Sequence, residues 1–262
     1  MPLAYLPDLR LNYRDEGNPT GPAVVFAHAL GLDLTIWDAL IPLLPTSLRI
    51  IRYDHRGHGG SDVPAALYTM GALVRDAERL LDNLAVRDCT FVGLSMGGLI
   101  AQGLAIKRLD LVRALVLSNT AARIGFDAHW QARIAEVREN GLAPGIDDTM
   151  QRLFSRRFLA TEAAAHWRDV LRAANPTGYI GCAAAIAGTD FYTPTAGLTL
   201  PTLAIATSED AITPPDLVRE TADLIRGSQF KVIRGSGHLP CIETPQTYAE
   251  ALTVFLTSIG HT

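Results

Sequence analysis

The clearest indication of how this 262-residue chain folds is the segment Val92-Gly93-Leu94-Ser95-Met96-Gly97-Gly98. The apolar run Thr90–Leu94 precedes the serine, and a run with helical spacing, Gly97–Lys107, follows it. A serine between glycines at a sharp strand-to-helix turn is typical of a nucleophile exposed at the edge of a sheet. The small residues at positions 93 and 97 let the helix fold back close to the strand. The amino end of that helix directs N–H groups toward any anion formed at Ser95.

Short strands alternate with longer helices on both sides of this turn. We predict strands over Ala23–Ala27, Ile50–Tyr53, Thr90–Leu94, Val112–Leu117, Thr202–Ala206 and Phe230–Ile233. We predict helices over Trp37–Leu44, Met70–Leu84, Gly97–Lys107, Pro215–Ile225 and Pro245–Leu256. This alternation predicts an α/β fold, in which helices flank both faces of a mostly parallel sheet.

The segment from Phe126 to Asp190 interrupts the alternation. It contains no convincing strand, and breaks at Ala143–Gly145 and Asn175–Pro176 divide it into three or four predicted helices. Because it lies between two predicted strands, we expect a helical cap over the carboxyl edge of the sheet, where ligands of open α/β sheets bind. The predicted domains are therefore a core, residues 1–125 and 191–262, and an inserted cap, residues 126–190.

A nucleophilic serine needs a neighbouring base, and the base needs an orienting acid. Of the seven histidines, His238 is the best placed, because it lies between the last predicted strand and the last predicted helix. His55 and His58, in the loop after an earlier strand, are the second choice.

The acid is expected after a strand and before the histidine in the chain. Asp210 meets this condition, since it follows Thr202–Ala206 and precedes His238, giving the order Ser, acid, His. Glu209 is the neighbouring alternative. The other place for the acid, after the preceding strand, holds Ser118-Asn119-Thr120 and offers no carboxylate.

Two backbone N–H groups are needed to bind the oxyanion that forms during acyl transfer. Met96, directly after the candidate nucleophile, supplies one of them. We assign the second to Leu30, in the loop after Ala23–Ala27, with Ala29 as the neighbouring alternative.

Composition excludes several classes of protein. Hydrophobic residues make up 48% of the chain, and 23 basic against 27 acidic residues give a formal net charge of −4. This balance is that of a globular domain and lacks the footprint of a nucleic-acid-binding protein. No apolar run reaches the roughly 18 residues of a membrane span, and the first residues lack the apolar region of a signal peptide. We expect a cytoplasmic protein that binds neither nucleic acid nor membrane.

The sequence offers little for a metal or a cofactor. His55-x-x-His58 has ligand-like spacing, but zinc needs further ligands nearby, and the three cysteines are widely separated. A glycine-rich loop braced by Asp54 and Arg56 is the preferred interpretation of that stretch. We expect no metal and no cofactor.

Four stretches, taken in order, resemble the α/β-hydrolase family across the whole chain: HALGLDLTIW (28–37), YDHRGHGGSD (53–62), GLSMGGLIAQGLA (93–105) and SGHLPCIETP (236–245). Two further stretches, NTAARIG (119–125) and GYIGCAAAI (178–186), resemble 3-oxoadipate enol-lactonases. This resemblance implies a carboxylic-ester hydrolase with a catalytic triad of Ser95, Asp210 and His238. It also implies a role in aromatic catabolism through the beta-ketoadipate pathway.

The implied substrate is an anionic enol-lactone, opened by water through an acyl-enzyme. Some members of the family carry an arginine and an acid where this chain has Ala187-Gly188. If that arginine holds the substrate carboxylate, Arg123 or another cap arginine has to replace it. Trp130 and Arg123, near the junction of core and cap, are the candidate substrate-binding residues.

Three alternatives stay open. A general carboxylesterase or a cofactor-free haloperoxidase or perhydrolase of this fold would use the same triad. A ligand receptor that retains a slow triad is the alternative outside the enzymes. The sequence also leaves the assembly open between a monomer and a homo-oligomer.

Overall fold

An eight-stranded sheet forms the centre of the computed structural model, which describes residues 2–262. The strands are β1 (Leu3–Tyr5), β2 (Arg10–Gly17), β3 (Ala23–Ala27), β4 (Arg49–Tyr53), β5 (Cys89–Leu94), β6 (Val112–Ser118), β7 (Thr202–Thr207) and β8 (Gln229–Ile233). Their spatial order is β1-β2-β4-β3-β5-β6-β7-β8. All pairs from β4 to β8 are parallel, whereas β2 pairs antiparallel with both β1 and β4. The predicted α/β fold with a mostly parallel sheet is confirmed.

Helices cover both faces of this sheet. They are α1 (Met70–Asn83), α2 (Met96–Lys107), α3 (Asp127–Asn140), α4 (Ile146–Leu153), α5 (Arg156–Leu159), α6 (Ala163–Ala173), α7 (Pro176–Ala187), α8 (Tyr192–Thr195), α9 (Pro215–Leu224), α10 (Pro240–Glu243) and α11 (Pro245–Ser258). Thr69 caps α1 by accepting a hydrogen bond from the Ala72 N–H, and Asn175 caps α7 in the same way.

Alternate residues of the central strand β3 pack in opposite apolar layers. Val25 and Ala27 pack in the apolar layer that contains α1 and α2. Val24 and Phe26 pack in the opposite layer, which contains α11 and parts of the segment between β6 and β7. Because every residue of β3 is buried, the strand has a continuous apolar sequence and no polar face. Because β3, β5, β6 and β7 are parallel, their carboxyl ends meet at one edge of the sheet. The inserted segment lies over this edge.

The core differs from the prediction in several places, and the strand β1 and the short helices α8 and α10 were among the elements not predicted. The helix predicted over Trp37–Leu44 is wrong, because the chain forms two 3₁₀ turns there, Leu34–Trp37 and Ile41–Leu43. Pro42 lacks the N–H that a continuous helix would need at this point. The antiparallel strand β2 was not predicted, since its sequence RLNYRDEG is mostly polar and its outer residues are exposed.

The segment between β6 and β7 contains helices and no strand among the described residues. Five helices, α3 to α7, lie within residues 126–190, one more than the upper prediction. The additional break occurs at Ser155, whose side chain caps the short helix α5 by accepting from the Phe158 N–H. The division into a core and a cap stays a prediction, and we call residues 126–190 the cap.

Candidate active site

Ser95 stands on a strained turn between β5 and α2. Its backbone angles are φ 57° and ψ −116°, in a region that residues other than glycine rarely occupy. A Cβ atom at Gly93 would lie 2.2 Å from the Gly97 oxygen, and one at Gly97 would lie 2.1 Å from the Ala27 oxygen. The two glycines therefore allow α2 to begin directly against β5 and the end of β3.

The hydroxyl of Ser95 is left available by this turn. Ser95 occupies the N-cap position of α2, yet its side chain makes no capping hydrogen bond. Its backbone is held instead, because the Ser95 N–H donates to the Ser118 oxygen at 3.0 Å and the Thr120 hydroxyl donates to the Ser95 oxygen at 2.7 Å. The side chain faces a cavity that is also lined by His238.

His238 and Asp210 form a buried pair. The distance from His238 Nδ1 to Asp210 Oδ2 is 2.8 Å, and the side chains of both residues are almost completely buried. A ring that donates from Nδ1 presents Nε2 as an acceptor, which is the tautomer a base next to a serine requires. Glu209, the alternative acid, is exposed and is not among the cavity-lining residues.

Asp210 is kept ionised by four donors. Its Oδ1 accepts from the backbone N–H groups of Ile212 (2.7 Å) and Thr213 (3.0 Å), and its Oδ2 accepts from the Thr213 hydroxyl (2.7 Å) and His238. Burial acting alone would raise the pKa of Asp210, but the charge and hydrogen bond of His238, together with these N–H groups, hold the pKa below its ordinary value.

Asn119 and Thr207 fasten the loop that carries His238. The Asn119 side-chain amide donates to the His238 oxygen at 2.9 Å and to the Thr207 hydroxyl at 3.0 Å. The Thr207 hydroxyl in turn donates to the Gly237 oxygen at 2.7 Å. The sequence did not indicate either residue, although Asn119 lies at the strand end that offers no carboxylate. Asn119 has a positive φ of 41°, a backbone conformation that the sequence did not indicate.

The same loop is joined to the cap. The His238 N–H donates to the Leu153 oxygen, at the end of α4, over 2.8 Å. The Glu243 carboxylate accepts from the Gly237 N–H at 2.9 Å and from the Ser155 N–H at 3.3 Å. A Cβ atom at Gly237 would lie 2.8 Å from the Leu153 oxygen, so only glycine fits this contact. One end of the cap thus shares a hydrogen-bond network with the candidate base.

The predicted oxyanion donors lie at the start of α2 and in the loop after β3. Met96 is the first residue of α2, and the first N–H groups of a helix have no acceptor within the helix. Leu30 and Ala29 follow β3, and both line the same cavity as Ser95. The close approach of Gly97 to Ala27 brings the start of α2 beside this loop.

Three buried histidines support the loop after β3. The Gly31 N–H donates to His58 Nε2 at 3.0 Å, and the His55 N–H donates to His28 Nε2 at 3.1 Å. A ring nitrogen that accepts carries no proton, so both His58 and His28 are neutral. Burial lowers the pKa of His55 to about 3 and that of His58 to about 4. His55 and His58 therefore act in support of this loop and do not contact Asp210. No group of three potential metal ligands occurs within residues 2–262.

A cavity of about 320 Å³ lies between the carboxyl edge of the sheet and the cap. Its core wall includes Ser95, Leu30 and His238, and its cap wall comes from α3, α4 and α7. Trp130 lines it and is fixed by the hydrogen bond from its indole N–H to the Ile124 oxygen at 2.7 Å.

Arg123 lies outside this cavity. Its guanidinium faces the Asp190 carboxylate at 3.7 Å and the ring of Phe126 at 6.0 Å. The cap arginines that do line the cavity are Arg133 and Arg152. Sequence reasoning did not single these out from the seven arginines of the cap, because helical spacing alone does not show which face of α3 or α4 looks inward.

Residues 22–245 match the sequence family described as alpha/beta hydrolase fold. The chain belongs to this α/β-hydrolase family. This chain is 34% identical to 3-oxoadipate enol-lactonase 2 of Acinetobacter baylyi over 247 residues. The aligned residues cover 94% of this chain and 92% of the relative. The chain is therefore a hydrolase of the esterase or lactonase type.

Solved structures agree with this assignment. The enol-lactonase from Burkholderia xenovorans LB400 superposes on the hydrolase with a TM-score of 0.94 and 32% identity, covering 98% of this chain and 100% of that one. A malate-bound thermophilic esterase from Thermogutta terrifontis superposes with a TM-score of 0.91 and 30% identity, covering 99% and 97%. Among the described residues, no helix has the length and apolar character that crossing a membrane requires.

Proposed function

We propose that the hydrolase opens the ring of 3-oxoadipate enol-lactone with water, by an acyl-enzyme mechanism that uses Ser95, His238 and Asp210. The observation that carries this proposal is the buried His238–Asp210 pair, whose histidine lines one cavity together with the strained Ser95. The likeness to two enol-lactonases supports the choice of substrate.

Acylation begins when the Ser95 hydroxyl attacks the ring carbonyl and His238 Nε2 takes its proton. Asp210 stabilises the imidazolium that forms, because its carboxylate is ionised and in contact with Nδ1. The N–H groups of Met96 and Leu30 donate to the oxyanion, and each such donor typically contributes about 3 kcal/mol.

Collapse of the tetrahedral intermediate breaks the ring C–O bond and leaves the acyl group on Ser95. His238 returns its proton to the departing enol oxygen, and the enol then rearranges to the ketone, which draws the reaction forward. A water molecule, deprotonated by His238, attacks the acyl carbonyl and releases the carboxylic acid.

The cavity suits a substrate of this size. Its volume of about 320 Å³ is at the lower end of small-molecule sites, and its wall includes apolar side chains such as Ile124, Trp130 and Ile212. The Thermogutta terrifontis relative was solved with malate, a small dicarboxylate, which supports an anionic substrate.

Steady-state hydrolysis of the enol-lactone by wild type and by Ser95→Ala tests the proposal. We expect turnover by the wild type and at least a thousandfold loss of kcat in the variant, since removal of a triad member costs orders of magnitude. Undiminished turnover in Ser95→Ala would show that another group is the nucleophile.

A general carboxylesterase is the second candidate, favoured by the likeness to the Thermogutta terrifontis esterase. Turnover of simple aryl esters, measured beside the enol-lactone, separates the two. A higher kcat/KM for aryl esters would rule out the lactonase assignment.

A further inference from the structure

The charged side chains of the cavity wall are all at its cap end. The core residues that line it are Ser95, His238 and apolar or glycine residues, whereas α3 and α4 of the cap contribute two arginines and two acids. The four charged residues are Arg133, Glu136, Asp148 and Arg152. A ligand in this cavity therefore has its reacting carbonyl at the core end and meets charge only at the cap end.

Arg133 already has partners for its guanidinium. It donates to Glu136 at 2.8 Å, to the Tyr179 hydroxyl at 3.3 Å and to the Thr149 hydroxyl at 3.4 Å, and it lies over the Tyr179 ring at 5.5 Å. These contacts join α3, α4 and α7. With its charge balanced by Glu136, Arg133 holds the cap wall together.

Arg152 differs from Arg133 in having no partner. Its side chain makes no hydrogen bond or ion pair with any residue of the described chain, although it lines the cavity. Asp148 lies one turn earlier on α4, the spacing at which helical side chains can pair, yet no ion pair joins the two described side chains. All five N–H donors of the Arg152 guanidinium are thus available to a ligand.

The backbone of Arg152 is fixed next to the candidate base. The residue that follows it, Leu153, is buried and accepts the hydrogen bond from the His238 N–H at 2.8 Å. Adjacent Cα atoms are about 3.8 Å apart, so the α4 end that carries Arg152 is held in place by the loop of His238. A guanidinium placed there can bind a carboxylate through two parallel hydrogen bonds.

We propose that Arg152 binds a free carboxylate of the substrate and so makes the site selective for anionic esters and lactones over neutral ones. The inference rests on the proposed serine-hydrolase function but not on the identity of the lactone. The substrate class is the monoester or lactone of a short dicarboxylic acid, in which a few bonds separate the carboxylate from the reacting carbonyl.

The first test compares two aryl esters of equal length, para-nitrophenyl hydrogen glutarate and para-nitrophenyl valerate, in which a methyl group replaces the carboxylate. The readout is the ratio of kcat/KM for the anionic ester to that for the neutral ester. In Arg152→Ala we expect this ratio to fall about tenfold, equivalent to about 1.4 kcal/mol, through a rise in KM for the anionic ester. Arg152→Glu is expected to lower the ratio further.

Arg157→Ala is the matched control. Arg157 is exposed on α5 and does not line the cavity, and its replacement removes the same charge five positions away. We expect its ratio to equal that of the wild type. A ratio in Arg152→Ala within twofold of wild type, or an equal fall in Arg157→Ala, would overturn the proposal.

A binding measurement makes the test independent of turnover. Calorimetric titration with glutarate should show about tenfold weaker binding to Arg152→Ala than to wild type. Equal affinities would overturn the assignment of Arg152. Failure of the wild type to hydrolyse the enol-lactone, with glutarate binding still dependent on Arg152, would instead overturn only the proposed lactone substrate.

Discussion

Replacement of Asp210 by asparagine puts an amide nitrogen in place of one carboxylate oxygen. Both of these oxygens accept hydrogen bonds in the structure. Oδ1 accepts from two backbone N–H groups, of Ile212 and Thr213, and Oδ2 accepts from the Thr213 hydroxyl and His238 Nδ1. The side-chain amide of the variant can place its nitrogen at either position. At the Oδ1 position it would oppose two buried N–H donors, each costing about 1–3 kcal/mol.

The amide nitrogen is therefore expected at the Oδ2 position, where it donates to His238 Nδ1. The proton of the imidazole then moves to Nε2, and the ring can no longer accept a proton from Ser95. Loss of the carboxylate charge also removes the stabilisation of the imidazolium. We expect Asp210→Asn to lower kcat by about 10³–10⁴-fold, equivalent to about 4–5.5 kcal/mol at 1.36 kcal/mol per tenfold.

The assay is steady-state hydrolysis of a para-nitrophenyl ester, with thermal unfolding measured on the same samples to show that the variant is folded. Glu209→Gln is the matched control, because Glu209 is adjacent, acidic and exposed. We expect it to retain wild-type kcat. If folded Asp210→Asn retains more than about a tenth of wild-type kcat, the assignment of Asp210 as the orienting acid is refuted.

Two further predictions concern stability. Gly97→Ala should lower the free energy of unfolding by about 3 kcal/mol or more, because its Cβ would lie 2.1 Å from the Ala27 oxygen. The control Gly71→Ala, whose Cβ would lie 3.9 Å from its nearest neighbour, should not destabilise the protein. Equal urea midpoints for the two variants would contradict the prediction for Gly97. His55 and His58, with pKa values of about 3 and about 4, bind protons less readily in the folded protein than in the unfolded chain. The free energy of unfolding should therefore fall as the pH drops from about 6.5 toward 4, by up to about 1.4 kcal/mol per pH unit for each histidine. His58→Gln should make this dependence shallower in urea unfolding at several pH values, and an unchanged slope would argue against it.

The sequence predicts the parts of the site that depend on local chain geometry. The strand, the serine and the following helix are contiguous, so residues 92–98 were sufficient to locate the turn at Ser95. The order of Asp210 and His238 along the chain, each after a strand of a parallel sheet, likewise places both at one edge, and the structure shows them paired at 2.8 Å.

Contacts between distant segments were beyond the reach of the sequence. Asn119 contacts the His238 loop across 119 positions of the chain, and no local pattern marks that contact. The sequence pointed to Arg123 because of its position near the cap boundary, and it did not single out Arg152. Which face of α4 looks inward is decided by packing against the core and the other cap helices. The strand β2 was missed because its mostly polar sequence, with several exposed residues, lacks the apolar signal on which strand prediction depends.

The hydrogen bond between Leu153 and His238 couples the position of the cap to that of the candidate base. A displacement of the cap that lifts the end of α4 would break that bond or pull the loop of His238 away from Ser95. The hydrogen bonds of Glu243 with Ser155 and Gly237 oppose such a displacement in the same way. The α4–α5 junction is therefore joined to the loop that carries His238. The position of this part of the cap and the alignment of the candidate base can therefore not vary independently.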